Sequence, residues 1–150
     1  MRVIVQRVKE AKVEIDRLVV GQIQKGLLLL LGIEEADGQE DIDWLCQKIV
    51  KMRIFGDEQG NMNCSLKEVD GEILVVSHFT LHASVKKGNH PSFIKAAKPQ
   101  QAEPLYEQFK KEISKQLGKK VQSGEFGANM QVSLLNDGPV TIFMDSKNKN

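Results

Sequence analysis

Residues 1–33 read MRVIVQRVKEAKVEIDRLVVGQIQKGLLLLLGI, and the fold turns on how this stretch is divided. Four strand-like runs follow one another in it with no helical period between them: MRVIVQRV, AKVEID, LVVGQI and KGLLLLLGI. The later chain adds GEILVVSHFTL, MQVSLLN and PVTIFMD. Two helices fit between these groups. Asp37 is read as the cap of the first, with Glu40 three residues on as in a capping box, and Ile42, Leu45, Ile49 and Met52 share one face with Trp44 at its margin. Residues 99–117 form the second, where Ala102, Leu105, Tyr106, Phe109, Ile113 and Leu117 make an amphipathic stripe. Strands in consecutive runs, rather than alternating with helices, predict an α+β domain with a largely antiparallel, barrel-like sheet and two main helices.

The chain has 150 residues, enough for one domain with one real core, and no repeat, low-complexity tract or linker divides it. Residues 1–150 are therefore read as a single domain, with 146–150 as a flexible polar tail. A composition of 41% hydrophobic and 27% charged residues argues against both a disordered and a membrane-embedded chain. The longest apolar run, Leu27 to Leu31, is too short to cross a bilayer. The opening MRVIVQRVKE lacks a signal peptide's apolar stretch, so the expected location is the cytoplasm. Cys46 and Cys64 have neither metal-ligand spacing nor a disulfide framework and read as reduced packing residues. The net charge of +1 conceals a basic segment: between Lys86 and Lys120 nine lysines stand against three glutamates. Such a segment is either a solvated helix face or an attractor of phosphates.

Several chemistries lack their motifs: GxGxxG, a P-loop, HExxH, paired CxxC and GxSxG are all missing. The one polar cluster ending an apolar strand is Ser77 to His82, SHFTLH. If the strand continues, His78, Thr80 and His82 point to one face and Ser77, Phe79 and Leu81 to the other. Two histidines flanking a hydroxyl can be a base and nucleophile, two metal ligands with His90 as the third, or plain exposed polar residues at a strand end. A second stretch, Ser133 to Thr141 (SLLNDGPVT), interrupts a strand pattern with Asn-Asp-Gly-Pro. Asp-Gly is a hairpin signal. Yet Pro139 cannot donate where the next strand would begin, and Gly-Pro also offers close backbone approach and a cis bond costing only about 0.5–1 kcal/mol. Turn and backbone tool both remain open.

Landmarks along the chain now accumulate in order: MRVIVQRV, VGQIQKGLLLLLGI, KMRIFGDEQGNMNCSL, LVVSHFTL, KKGNHPSF and FGANMQVSLLNDGPVT. From Met1 to about Asp145 the chain resembles a D-aminoacyl-tRNA deacylase of the bacterial and eukaryotic type. That family has two motifs, Ser-Gln-x-x-Leu and Asn-x-Gly-Pro-x-Thr. The second is complete at Asn136 to Thr141; in the first, His78 stands where the family has Gln, and His82 and His90 stand where Tyr and Arg are common.

The resemblance implies hydrolysis of the ester joining a D-amino acid to the 3′ end of tRNA, with L-residues refused, as chiral proofreading in translation. It raises glycyl-tRNA mischarged on tRNA-Ala as an achiral second substrate. It also implies a homodimer in which Gly138 and a cis-bonded Pro139 of one subunit enter the other's active site, supported by Arg7. Ser77, His78, Phe79 and Thr80 are then expected at the reacting ester, with Phe126, Ala128 and Met130 lining the pocket. The implied route is assisted by the tRNA 2′-hydroxyl, a covalent role for Thr80 being left open, and no metal or cofactor is expected. Two other readings stand beside it: a dimeric nucleic-acid-binding module without hydrolysis, suggested by His78 and the lysines, and a hydrolase of free D-amino-acid esters or peptides.

Overall fold

In the first strand, β1 (Arg2–Ile15), the buried residues run Val3, Val5, then Val8, Ala11 and Val13. The two-residue period of a strand slips twice there, at the places where its pairing with a neighbour is irregular. The slips split the interior in two. Val3 and Val5 belong to a large core shared with the helices, whereas Val8, Ala11 and Val13 belong to a smaller one inside the curled sheet. The computed structural model describes every residue from Met1 to Asn150.

After β1 come β2 (Leu18–Ile23), β3 (Gly26–Gly32), α1 (Gln39–Lys51), the short hairpin β4 (Phe55–Gly56) and β5 (Met62–Cys64), then β6 (Glu72–Ser77). A 3-10 turn at Phe79–His82 leads through a long loop to α2 (Pro99–Leu117), β7 (Gln122–Ser123) and β8 (Gln131–Asp145). The main sheet runs β2-β1-β3-β6-β7, and β8 pairs with the other side of β1. This is the expected α+β domain with two helices and a barrel-like sheet, with one difference: the sheet is mixed. β1 is antiparallel to β2, β3 and β8, but β3–β6 and β6–β7 are parallel. Each parallel pair is joined by a helical crossover, α1 for the first and α2 for the second, because parallel strands cannot be joined by a tight turn.

The leucine run of β3 is explained by this position. Leu27, Leu29 and Leu31 face the helical core and Leu28 faces the smaller one, so the strand is apolar on both sides. β2 folds across β7 to bring the sheet near closure. Gly21 marks the contact, since a β-carbon there would lie 2.7 Å from the Ser123 carbonyl oxygen.

α2 spans the expected residues, and its stripe of Ala102, Tyr106, Phe109, Ile113 and Leu117 is buried. The start of α1 corrects the sequence reading by one residue. Gly38 is the N-cap, and the Asp41 carboxylate accepts its N–H at 2.9 Å. Asp37 is drawn elsewhere: it accepts a hydrogen bond from the buried Met1 ammonium at 2.6 Å and another from the Glu34 N–H. Ser146 also accepts from that ammonium and donates to Asp41, so the polar residues 146–150 begin with a buried anchor. No helix is long and apolar enough to cross a membrane.

Candidate active site

The parallel strands β3 and β6 end side by side, and the chain leaving β6 changes character at once. The His78 N–H still donates to the Leu31 carbonyl at 2.8 Å, extending the ladder by one residue, but Phe79–His82 winds into the 3-10 turn. The strand alternation expected through His82 therefore stops at Ser77, and His78, Thr80 and His82 do not share a face.

The three histidines separate accordingly. His82 is 2% exposed and packs against Gly32 with neither ring nitrogen hydrogen-bonded, the nearest carboxylate oxygen being Glu34 Oε2 at 3.7 Å. This overturns its reading as an exposed strand-end residue. His78 is half-buried with Nδ1 unpartnered, and burial holds its pKa below the ordinary 6.5, so the ring is neutral at pH 7. His90 is exposed in the loop before α2. No group of three His, Cys, Asp or Glu side chains is placed to hold a metal ion.

Beyond the ends of β3 and β6 lies a pocket of about 560 Å³, mostly apolar. Ser77, His78, Phe79 and Thr80 form one side, and Phe126, Ala128 and Met130 form another. The sequence reading had these seven residues together. It did not single out Phe93, Ala96 and Ala97 from the loop, Pro99 and Ala102 from the first turn of α2, or Gly127. Phe93 meets Phe79 edge to face, with ring centres 5.2 Å apart, and both rings remain partly exposed at the pocket mouth. The available signal for it was an aromatic among the lysines of residues 86–98, a stretch without aspartate or glutamate. Thr80 is exposed, and no hydrogen bond joins its hydroxyl to a base.

Arg7, Gly138 and Pro139 are not among the residues lining this pocket. They meet on the β1–β8 pair. β8 runs unbroken from Gln131 to Asp145, so Asn136 to Thr141 is not a hairpin turn. Gln6 pairs with Thr141 and Val8 with Asn136, which leaves residues 137–140 bulged opposite Arg7. Arg7 Nε donates to the Asp137 carbonyl at 3.1 Å and Nη1 to the Ile54 carbonyl at 2.6 Å, bracing the bulge against the body. The Gly138–Pro139 peptide is cis, and Gly138 has φ +126°, a conformation that L side chains rarely adopt. A β-carbon on Gly138 would also stand 2.9 Å from Arg7 Nη2.

The model of the family described as D-Tyr-tRNA(Tyr) deacylase matches residues 4–145. The chain belongs to that family. It is 66% identical over 149 residues to a D-aminoacyl-tRNA deacylase of Flavobacterium johnsoniae and 64% identical to one of Bacteroides thetaiotaomicron, covering 99% of each chain in both comparisons. The solved structure of a c-Myc DNA Unwinding Element Binding Protein superposes with TM-score 0.92 at 39% identity, over 97% of this chain and 98% of that one. A probable eukaryotic D-amino acid tRNA deacylase shares the fold, with TM-score 0.80 at 17% identity over 95% and 97% of the two chains. Membership in the deacylase family gives the pocket a chemical frame, hydrolysis of an ester.

Proposed function

We propose that the protein hydrolyses the ester of D-aminoacyl-tRNA in the cytoplasm and works as a homodimer. The observation that carries the reading is a division of labour: Ser77 to Thr80 and Phe126, Ala128 and Met130 converge on one pocket, while Gly138 and Pro139 sit outside it on a braced bulge. In a second copy, that bulge completes the site.

The enzyme must accept side chains of many shapes yet refuse one hand. Reading the side chain is therefore useless, and recognition falls on the other α-carbon substituents. Main-chain carbonyls of Gly138 and Pro139 accept from the substrate's α-ammonium, and an L side chain would collide with the same wall. Glycine has no side chain to collide, so glycyl-tRNA mischarged on tRNA-Ala is a second substrate in this account.

For the reaction, water adds to the ester carbonyl. Main-chain N–H groups opening the Phe79–His82 turn, where a helical segment has no preceding turn to bond, stabilise the oxyanion. The tetrahedral species then expels the ribose 3′ oxygen, which takes a proton, and releases the D-amino acid. Proton movement falls to the neighbouring 2′-hydroxyl, already held at the reacting carbon. Thr80 without a base is a weak nucleophile, and the neutral His78 acts by hydrogen bonding and packing.

A second reading is a nucleic-acid-binding module without hydrolysis, favoured by the lysine-rich segment and by the likeness to the 39% identical DNA unwinding element binding protein. Incubation with D-Tyr-tRNA and L-Tyr-tRNA separates the two. The deacylase releases D-tyrosine and spares L-Tyr-tRNA; a pure binder releases neither. Turnover of D-tyrosine esters lacking RNA, at a rate matching D-Tyr-tRNA, would favour the free-ester hydrolase instead.

A further inference from the structure

One rim of the pocket carries charge that the ester chemistry does not use. From Phe79 to Ala102 the chain has no aspartate or glutamate, yet it holds Lys86, Lys87, Lys95 and Lys98. All four are exposed and none enters an ion pair. The segment that bears them is held in place. Ser84 and Ser92 exchange main-chain hydrogen bonds of 2.7 and 2.8 Å, and the Ala97 N–H donates to the Ile33 carbonyl at 2.9 Å. Lys86 and Lys87 project beyond the first of these clamps, and Lys95 and Lys98 flank Ala96 and Ala97, which line the pocket.

An adjoining stretch of the surface has the other sign. Glu103, Glu107 and Glu125 border a groove that shares Pro99 and Phe126 with the pocket, and its single lysine, Lys110, is held by Glu107 at 3.2 Å. A polyanion crossing the mouth is drawn to one side and repelled from the other. At the mouth itself the Phe79 and Phe93 rings offer an exposed aromatic edge.

We propose that the loop of residues 83–98 is the landing surface for the ribose-phosphate backbone of the RNA next to its aminoacylated 3′ end. Lys86, Lys87, Lys95 and Lys98 contact phosphates, and Phe93 stacks on an unpaired base. This rests on the deacylase reading for the choice of RNA, and it fixes the side from which the RNA approaches.

The test uses uncharged tRNA, so that no hydrolysis is required. Its affinity is measured by fluorescence anisotropy from about 50 to 200 mM salt, the range over which phosphate contacts change affinity most visibly. The proteins compared are wild type, a Lys86→Gln, Lys87→Gln, Lys95→Gln, Lys98→Gln variant, and a Lys111→Gln, Lys115→Gln comparator altered on the exposed face of α2. Melting curves of all three establish that they fold alike. The loop variant is expected to bind at least about tenfold more weakly at low salt and to flatten the slope of log Kd against log salt by about 3. The comparator changes by less than about twofold. Phe93→Ala weakens binding by a similar factor at every salt, because stacking releases no counterions.

An unchanged slope in the loop variant, or an equal loss in the comparator, would overturn the proposal. So would equal affinity for duplex DNA with the same lysine dependence, which makes the loop a general polyanion face. If tRNA binds through these lysines but is never hydrolysed, the deacylase reading fails and this surface stands.

Discussion

At the scale of single residues, the histidines that depart from the family pattern have separable roles. His78 lies at the pocket with a neutral, partly unpartnered ring. A glutamine supplies the same neutral hydrogen-bonding, so His78→Gln should change single-turnover deacylation by less than about tenfold, or ~1.4 kcal/mol in barrier terms. A larger loss, together with disappearance of an ionisation near neutrality from the pH–rate profile, would make His78 an acid–base group. His82 acts on stability instead. Burial disfavours its charged form most; the adjacent Gly32 backbone and Glu34 oppose this only in part, and the Arg2 and N-terminal charges push the same way as burial. Its folded pKa is therefore below the unfolded value near 6.5, so the folded chain binds fewer protons. The stability contributed by the neutral ring is complete above that unfolded value and is lost as pH falls through the folded one. Asp41 and Asp145, both lowered from 3.8, lose theirs only in more acidic solution. Wild-type Tm should thus fall by on the order of a few °C between roughly pH 7 and pH 5, and His82→Phe should remove the share His82 carries, with His78, lowered by burial in the same way, carrying the rest. Equal slopes in the two proteins would show that His82 carries none of it.

Among the elements, legibility followed the range of the determining contact. α2 was readable because its stripe is periodic over 19 residues, and β3 because an apolar run bounded by glycines fits a strand covered on both faces. The turn at Phe79–His82 was not, since a polar–apolar alternation reads the same whether or not the ladder continues beneath it. The cap of α1 slipped by one because Asp37 is claimed by the Met1 ammonium, a partner 36 positions away. Parallel pairing was hidden for the same reason: it depends on where the crossovers land. Ser77 to Thr80, Phe126, Ala128 and Met130 were expected together from the family resemblance and do line one pocket, whereas Phe93 and Ala96 join it only when the loop folds back. Sheet closure gives this scale its prediction. Gly21→Ala drives a methyl group into the Ser123 carbonyl and against Leu74 Cδ1 at 3.1 Å, and should cost about 1–3 kcal/mol of unfolding free energy. Denaturation by urea reads this directly, and an unchanged midpoint would show that β2 and β7 separate freely.

For the whole molecule, the proposed catalytic pocket and the proposed selective bulge lie apart on one chain, and the proposed dimer would bring them together. β8 pairs with β1 alone and shows Leu134, Leu135 and Phe143 to solvent, surface that a second copy would cover in the proposed dimer. Leu135→Asp is accordingly expected to shift the sedimentation coefficient toward that of a 16.8 kDa monomer and to abolish deacylation with it. A monomer that keeps full activity would place the whole site within one chain. The most direct test of the account is single-turnover hydrolysis of D-Tyr-tRNA and L-Tyr-tRNA by wild type and by Gly138→Ala, whose added methyl group meets Arg7 and requires a φ that alanine avoids. We predict rapid wild-type hydrolysis of the D-ester with the L-ester spared, and a loss of at least about a hundredfold on the D-ester in Gly138→Ala, ~2.7 kcal/mol, while the variant still folds and dimerises. Wild-type rates and unchanged D/L preference in Gly138→Ala would contradict it.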